Sequence, residues 1–364
     1  MKYAYFPGCS ANSTGISFTL SADYVGGRIG LELEEIPDWC CCGTSAALVT
    51  SADLSLALPA RSLALAEQHL PGLDVATPCA GCFASLKGAQ HYVRRGTEQR
   101  AHVEQLIEMP YAATAEVYSF LEVMAQPEVS EQIASQLTTG LNGLKVASYY
   151  GCALVRPADV TQFEDPENPQ SMDRLMELAG AEAISWAYKT ECCGASHQIS
   201  EPKGARLLVE RIFADAAANG AEAIACACPL CLLNLDLREA EINATRQARG
   251  EQPFDIPIYY FTELLGAAMG GSAKQLGIDR HFWPAEALVQ RAVSPSPAEP
   301  VLDDAGLKPD SADAPAAAPT AAPMAAPMAT PEQPAEPAAE APAAAPAEAA
   351  ATPATAVAKE VADE

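Results

Sequence analysis

The stretch Asp74-Val75-Ala76-Thr77-Pro78-Cys79-Ala80-Gly81-Cys82 recurs as Ala223-Ile224-Ala225-Cys226-Ala227-Cys228-Pro229-Leu230-Cys231. Each copy is a short apolar run that ends in C-x-x-C and leads into a helical pattern. A strand that turns directly into a helix is the elementary step of a βαβ unit. Working outward, Trp39-Cys40-Cys41-Cys42-Gly43 matches Thr190-Glu191-Cys192-Cys193-Gly194. Lys2-Tyr3-Ala4-Tyr5-Phe6-Pro7-Gly8-Cys9 matches Lys145-Val146-Ala147-Ser148-Tyr149-Tyr150-Gly151-Cys152. The half-ends also agree, with Glu116-Val117-Tyr118-Ser119-Phe120-Leu121-Glu122 beside Tyr259-Tyr260-Phe261-Thr262-Glu263-Leu264-Leu265. Three cysteine groups in one order, repeated at nearly equal spacing, mark a tandem duplication.

Strands are expected at 3–6, 73–76, 146–150 and 223–227, with long amphipathic helical runs at 46–70 and 203–219. The fold class is therefore α/β, with two pseudo-symmetric βαβ-type halves and parallel sheet. The halves span residues 1–142 and 143–292, and residues 293–364 form a disordered Ala/Pro-rich acidic tail. In parallel sheets, sites form beyond the carboxyl ends of strands. Both Gly-Cys motifs and both C-x-x-C motifs fall at such ends, so the cysteines of each half converge on one edge.

The 364 residues hold 47 acidic and 22 basic side chains, a formal charge of −25. Such a chain repels phosphate backbones and anionic lipid, which argues against nucleic-acid or membrane-surface binding. No apolar run approaches the length of a membrane span, and the first residues are too short for a signal peptide, so membrane insertion is not expected and the expected compartment is the cytoplasm. Fourteen of the 29 prolines follow Ser294, among Ala, Glu and Asp, with too little bulky apolar surface for a core.

The twelve cysteines suit a metal better than disulfides, because they fall as adjacent pairs and C-x-x-C. Each half offers five thiolates at matched positions, with Cys40 and Cys226 outside the shared pattern. A tetrahedral zinc or an ordinary cubane uses four; a fifth thiolate can bridge two irons or hold an extra one. Helix N-termini after each C-x-x-C supply partial positive charge for thiolates. Gly43, Gly81, Gly151 and Gly194 are expected to let backbone approach sulfur. Other candidates carry less. Gly26-Gly27-x-x-Gly30 reads as loop glycines rather than a phosphate loop. His197 is a candidate proton donor, with a plain surface or core histidine as the rival reading. Arg156, Lys87, Lys203 and Arg206 read more readily as partners of nearby acids than as substrate anchors. Trp39 and Trp186 shield the cysteine pairs or simply pack.

These motifs resemble the cysteine-rich CCG domain, and the free-standing tandem copy resembles the B subunit of heterodisulfide reductase, over about residues 1–270. Leu144-Lys145-Val146-Ala147, Gly194 and Pro229 extend the resemblance past the cysteines. It implies two non-cubane [4Fe-4S] clusters, one held by Cys9, Cys41, Cys42, Cys79 and Cys82, the other by Cys152, Cys192, Cys193, Cys228 and Cys231. It implies the disulfide-reducing part of an oxidoreductase complex, which cleaves an S–S bond in one-electron steps between the clusters. The partners implied are a protein with ferredoxin-type cubane clusters, like the C subunit of that reductase, and a flavin protein like its A subunit. The substrate implied is a small-molecule or protein disulfide. The alternative is a CCG-type electron-transfer subunit of lactate or glycolate oxidation, with no disulfide of its own. No ferredoxin-type C-x₂-C-x₂-C-x₃-C is present, so electrons arrive from another chain. Two departures stand out: Ala153 follows Cys152 where methanogen members are associated with histidine, and Cys40 makes the first pair a triplet.

Overall fold

The computed structural model describes residues 1–294, so the expected tail lies, beyond its first residues, outside the described chain. Eight strands form two sheets: β1 Lys2–Tyr5, β2 Glu32–Glu35, β3 Val75–Thr77 and β4 Val117–Ser119, then β5 Lys145–Tyr149, β6 Glu182–Ala183, β7 Ala223–Cys226 and β8 Ile258–Tyr260. The orders are β2-β1-β3-β4 and β6-β5-β7-β8, and every pairing is parallel. The protein is α/β, as its alternating pattern requires.

The central strands are short and wholly apolar or small: Val75, Ala76 and Thr77 are buried, as are Ala223, Ile224, Ala225 and Cys226. Helices cover both faces, which is why these strands read as continuous rather than alternating. β2 is different. Its Glu32-Leu33-Glu34-Glu35 is mostly exposed at a sheet edge, with Lys2 Nζ 2.6 Å from Glu34 Oε2. The long run at 46–70 is two helices, Thr44–Thr50 and Ala52–His69. Ser51 separates them, and its side chain accepts from Leu54 N. Gly26 and Gly27 lie inside the helix Ile16–Ile29, so they are neither a loop nor a phosphate cradle; only Gly30, at its left-handed end, terminates it.

In each sheet the chain first moves one way, from β1 to the edge strand β2, and then returns past β1 to β3 and β4. The direction reverses between β1 and β3, and again between β5 and β7. Loops that leave these two neighbours part in opposite directions and open a crevice at their carboxyl ends. The halves also interlock. Helix Ile16–Ile29 packs on Phe261–Ala268, where Ser21 Oγ and Thr262 Oγ1 are 2.6 Å apart and Phe18 stacks on Tyr260 with centroids 4.4 Å apart.

Two buried pairs and one buried carboxyl serve the fold. Lys189 Nζ donates to Asp173 Oδ1 at 2.8 Å, with the two side chains only 6% and 8% exposed. His281 Nε2 pairs with Glu263 Oε1 at 2.9 Å. Burial would lower the His281 pKa, but the Glu263 carboxylate more than reverses this and lifts it from 6.5 to about 9. Glu239 is buried, and desolvation pushes its carboxyl from 4.5 to about 9. Both groups hold protons in the folded state that the unfolded chain has released, so stability must fall as pH rises. The His281 contribution is complete below about pH 6.5 and gone above about pH 9, a change of roughly 3 kcal/mol. The melting temperature of the apoprotein should therefore drop between pH 6 and pH 9, and Glu239→Gln should flatten part of the slope. A melting temperature that climbs over that interval refutes the assignment.

Candidate metal centre

All three cysteine groups of each half follow the carboxyl ends of its strands. Gly8-Cys9 leaves β1, Cys40-Cys41-Cys42 follows β2 through a loop, and Cys79 leaves β3 to become the N-cap of helix Ala80–Arg94. In the second half, Gly151-Cys152 leaves β5, Cys192-Cys193 follows β6, and Cys228 is the N-cap of helix Pro229–Ala248. Neither of these two helices has a side-chain cap, so their free N–H groups and positive dipole ends face the thiols.

The sulfurs meet in pairs. Cys42 Sγ and Cys82 Sγ are 3.3 Å apart, and Cys193 Sγ and Cys231 Sγ are 3.6 Å apart. Cys9 faces Cys41, Cys152 faces Cys192, and each C-x-x-C pairs internally. One contact crosses the halves: Cys79 of the first lies against Cys228 of the second. Within touching pairs one thiol surrenders its proton at the other's expense. Cys82 hydrogen-bonds to Cys42 and draws it down to about 6, while Cys82 itself is pushed up. Cys152 does the same for Cys192, also held at about 6, with help from Gly194 N, which donates to Cys192 Sγ at 3.3 Å. Cys228 is lowered by Cys231 and Cys79, both of which rise. Cys42, Cys192 and Cys228 are the readiest thiolates.

Two glycines make room for this. Gly8 and Gly151 hold φ of +75° and +68°, and a Cβ there would stand 3.0 Å from Cys82 Sγ and 3.2 Å from Cys231 Sγ. Backbone and sulfur approach only because no side chain intervenes. Gly43 does not have this role: its missing Cβ makes space for Ala47 and Leu58. Gly194 has both roles, its N–H reaching Cys192 Sγ while its missing Cβ makes space for Ala205 and Leu208. A Cβ on Gly81 would stand at ordinary contact distance from Cys79 Sγ, 3.7 Å, but only 2.8 Å from Thr44 Oγ1.

The two unmatched cysteines sit differently. Cys40 Sγ donates to the Leu58 carbonyl at 3.5 Å and lies 3.8 Å from Ser62 Oγ, towards helix Ala52–His69. Cys226 is fully buried on β7, its Sγ 3.9 Å from the Cys228 carbonyl. His197 is exposed on the 3₁₀ turn Ala195–His197, close enough to Cys192 to act on its thiol. Arg156 bonds Glu167 and the Thr190 carbonyl, Lys87 stands 4.0 Å from Glu116, and Arg206 pairs with Glu241. Trp186 Nε1 donates to the Ser148 carbonyl, and Trp39 Nε1 to Glu35.

A cavity of about 490 Å³ lies where the halves meet. Gly81, Ala84, Ser85 and Gly88 of helix Ala80–Arg94 form one wall, and Cys152, Cys192, Cys193, Cys228 and Cys231 line the other. Sequence reading missed this wall, although its 3–4 residue spacing of small side chains was a usable signal.

The donor set fits a polynuclear thiolate-bound cofactor. All twelve cysteines are free thiols, soft ligands of the kind iron–sulfur clusters take. They stand as chains of pairs. Among the described residues, no three Cys, His, Asp or Glu close around a single ion.

The cysteine-rich domain model (CCG) matches residues 3–87 and 146–236. The 8-methylmenaquinol:fumarate reductase membrane anchor subunit of Wolinella succinogenes is 31% identical over 283 residues, 77% of this chain and 96% of the relative. The B subunit of a ferredoxin/F420H2-dependent CoB-CoM heterodisulfide reductase from Methanosarcina acetivorans is 30% identical, covering 70% and 84%. A protein of Archaeoglobus profundus, described as like the B subunit of heterodisulfide reductase, is 28% identical, covering 74% and 91%. Among solved structures, a hypothetical protein from Helicobacter pylori aligns with a TM-score of 0.61 at 14% identity over 78% of this chain; the match spans about half of that chain, 52%. Two parallel α/β halves with matched thiol sets at their carboxyl edges define an iron–sulfur, electron-transferring class of oxidoreductase component. The chain belongs to the tandem cysteine-rich CCG domain family that includes the heterodisulfide reductase B subunit. No helix among the described residues is long and apolar enough to cross a membrane.

Proposed function

We propose that the protein is the disulfide-reducing subunit of a heterodisulfide reductase-like complex. Cys9, Cys41, Cys42, Cys79 and Cys82 would hold one non-cubane [4Fe-4S] cluster, and Cys152, Cys192, Cys193, Cys228 and Cys231 the other. The observation that carries the reading is the thiol-lined cavity between the halves, with Cys79 and Cys228 in contact across the boundary. Such clusters supply electrons one at a time, which suits stepwise cleavage of an S–S bond. The chain's own part is to seat the disulfide between helix Ala80–Arg94 and the second cysteine set. The largely small and apolar wall would lower the local dielectric there and strengthen charge interactions in the cavity. His197, on the turn whose Ala195 and Ser196 line the cavity, would return a proton to a departing thiolate. A partner with ferredoxin-type clusters and a flavin protein would deliver the electrons in the cytoplasm.

A second reading has its own support. The Wolinella succinogenes relative is matched along nearly its whole length, and it serves a quinol:fumarate reductase. On that reading the chain relays electrons for a partner enzyme and binds no disulfide. Anaerobic purification should yield two clusters' worth of iron and acid-labile sulfide, with unusual paramagnetic signals when the protein is oxidised in the presence of a thiol. Stoichiometric zinc without sulfide would sink both readings. Reduced protein that is reoxidised by menaquinone analogues but by no disulfide would sink the first and leave the second.

A further inference from the structure

The two halves differ at one equivalent position that faces the thiol edge. Ser119 ends β4, and its hydroxyl accepts from Glu122 N at 3.2 Å, while Glu122 Oε2 accepts from Ser119 N. Tyr260 ends β8 in the same place. Glu263 Oε2 accepts from Tyr260 N at 2.8 Å, so half of the capping exchange survives. The phenol cannot make the other half, because its hydroxyl is carried a whole ring away from its own backbone. Tyr260 is 0% exposed, and its hydroxyl has no hydrogen-bond partner. Buried serine and threonine hydroxyls can turn back to a nearby carbonyl; a tyrosine hydroxyl has no such recourse, and a buried orphan is costly.

The surroundings say where this hydroxyl belongs. Tyr260 pairs in parallel register with Cys226, the last residue of β7, and Cys228 begins the next helix two residues later. Phe18 of the other half stacks on the ring at 4.4 Å and 20°, which fixes its plane. Burial keeps the phenol protonated and therefore a donor, and the groups close enough to act on it are Cys226, Glu263, Cys228 and Cys79.

We propose that the Tyr260 hydroxyl donates a hydrogen bond to the cluster held by the second cysteine set, and that as a positioning residue it raises that cluster's reduction potential. This rests on the cluster reading above. Reduction adds negative charge, and a donor aimed at the cluster favours the more negative state; hydrogen bonds to cluster sulfur are among the established controls of potential. At the equivalent position of the first half Ser119 is too short to reach the thiols, its hydroxyl staying at its own helix cap where it accepts from Glu122 N. The device thus separates the potentials of two otherwise similar sites.

Tyr260→Phe removes the hydroxyl and keeps the ring. In the full-length chain it should retain wild-type iron and sulfide. The apoprotein should melt at or above the wild-type temperature, since an unpaired buried hydroxyl is gone. In an EPR-monitored redox titration one midpoint should move to a more negative potential, and it should be the midpoint of the signal that Cys193→Ala abolishes. Ser119→Ala should do the converse, lowering the apoprotein melting temperature with both midpoints unmoved. Full iron with both midpoints unchanged in Tyr260→Phe overturns the proposal. So does loss of iron from that variant, which would make the hydroxyl part of cluster assembly. Wild-type protein without iron or sulfide would overturn the cluster reading and this one together.

Discussion

Cys193→Ala, purified without oxygen, is expected to retain about half the iron of the parent and to lose one of two paramagnetic signals. Cys193 is buried, touches Cys231 and lines the cavity, so its removal takes one of five thiolates from the most enclosed part of the second set. Cys41→Ala is expected to do the same to the first set. Cys40→Ala and Cys226→Ala are expected to keep both signals. Cys40 turns towards Leu58 and Ser62 rather than the other sulfurs, and the Cys226 thiol turns to the Cys228 carbonyl just beyond β7. Cys226→Ala should still perturb the second signal, because that thiol adjoins Cys228. The decisive measurement is iron content with spectra for the four variants in parallel. If Cys40→Ala loses iron as Cys41→Ala does, the adjacent pair is Cys40-Cys41 and the ligand register shifts by one.

Lys189→Met is expected to destabilise the apoprotein by about 3–5 kcal/mol, because it leaves the Asp173 carboxylate buried without its cation. The consequence reaches the metal centre. Tyr150 OH donates to Asp173 Oδ2 at 2.6 Å, and the Lys189 carbonyl accepts from Tyr150 N and Gly151 N at 2.8 and 3.1 Å. This cluster clamps the strand-to-helix turn that presents Cys152. The variant should therefore lose the second signal at lower denaturant concentration than the first. Pairing it with Asp173→Asn, which removes the stranded charge, should recover a large part of the stability. Chemical denaturation of the two variants decides the point; equal losses for both would show that the charge was not buried as described.

Much of this architecture could be read from the chain because it was written twice. Each cysteine group follows a short apolar run, and two copies in one order fix which features are structural. The central strands emerged for the same reason. β2 did not, since Glu32-Leu33-Glu34-Glu35 has a strand's length but none of its apolar character. The two-residue β6 is below the reach of periodicity. Gly26 and Gly27 misled because two adjacent glycines suggest a turn; tertiary packing overrides that cost inside Ile16–Ile29. Ser51 breaks the long run at 46–70 by capping, a signal that apolar spacing masked. The approach of Cys79 to Cys228 and the cavity beside them arise from the docking of one half on the other. No local pattern encodes that docking, although its small-residue wall on Ala80–Arg94 left a trace.

The acidic strand at the edge of the first sheet has a bearing on how the molecule behaves among its own copies. An open parallel sheet offers unpaired N–H and C=O groups along its outer strands, a template on which a foreign strand can add. At β2 such an intruder would meet Glu32, Glu34 and Glu35 on a chain already at −25. At β6 it would find only two residues to grip. Charge guards β2 and brevity β6, while the opposite edges β4 and β8 are three-residue strands that are largely buried, so strand-by-strand aggregation is discouraged even while the chain awaits its cofactors.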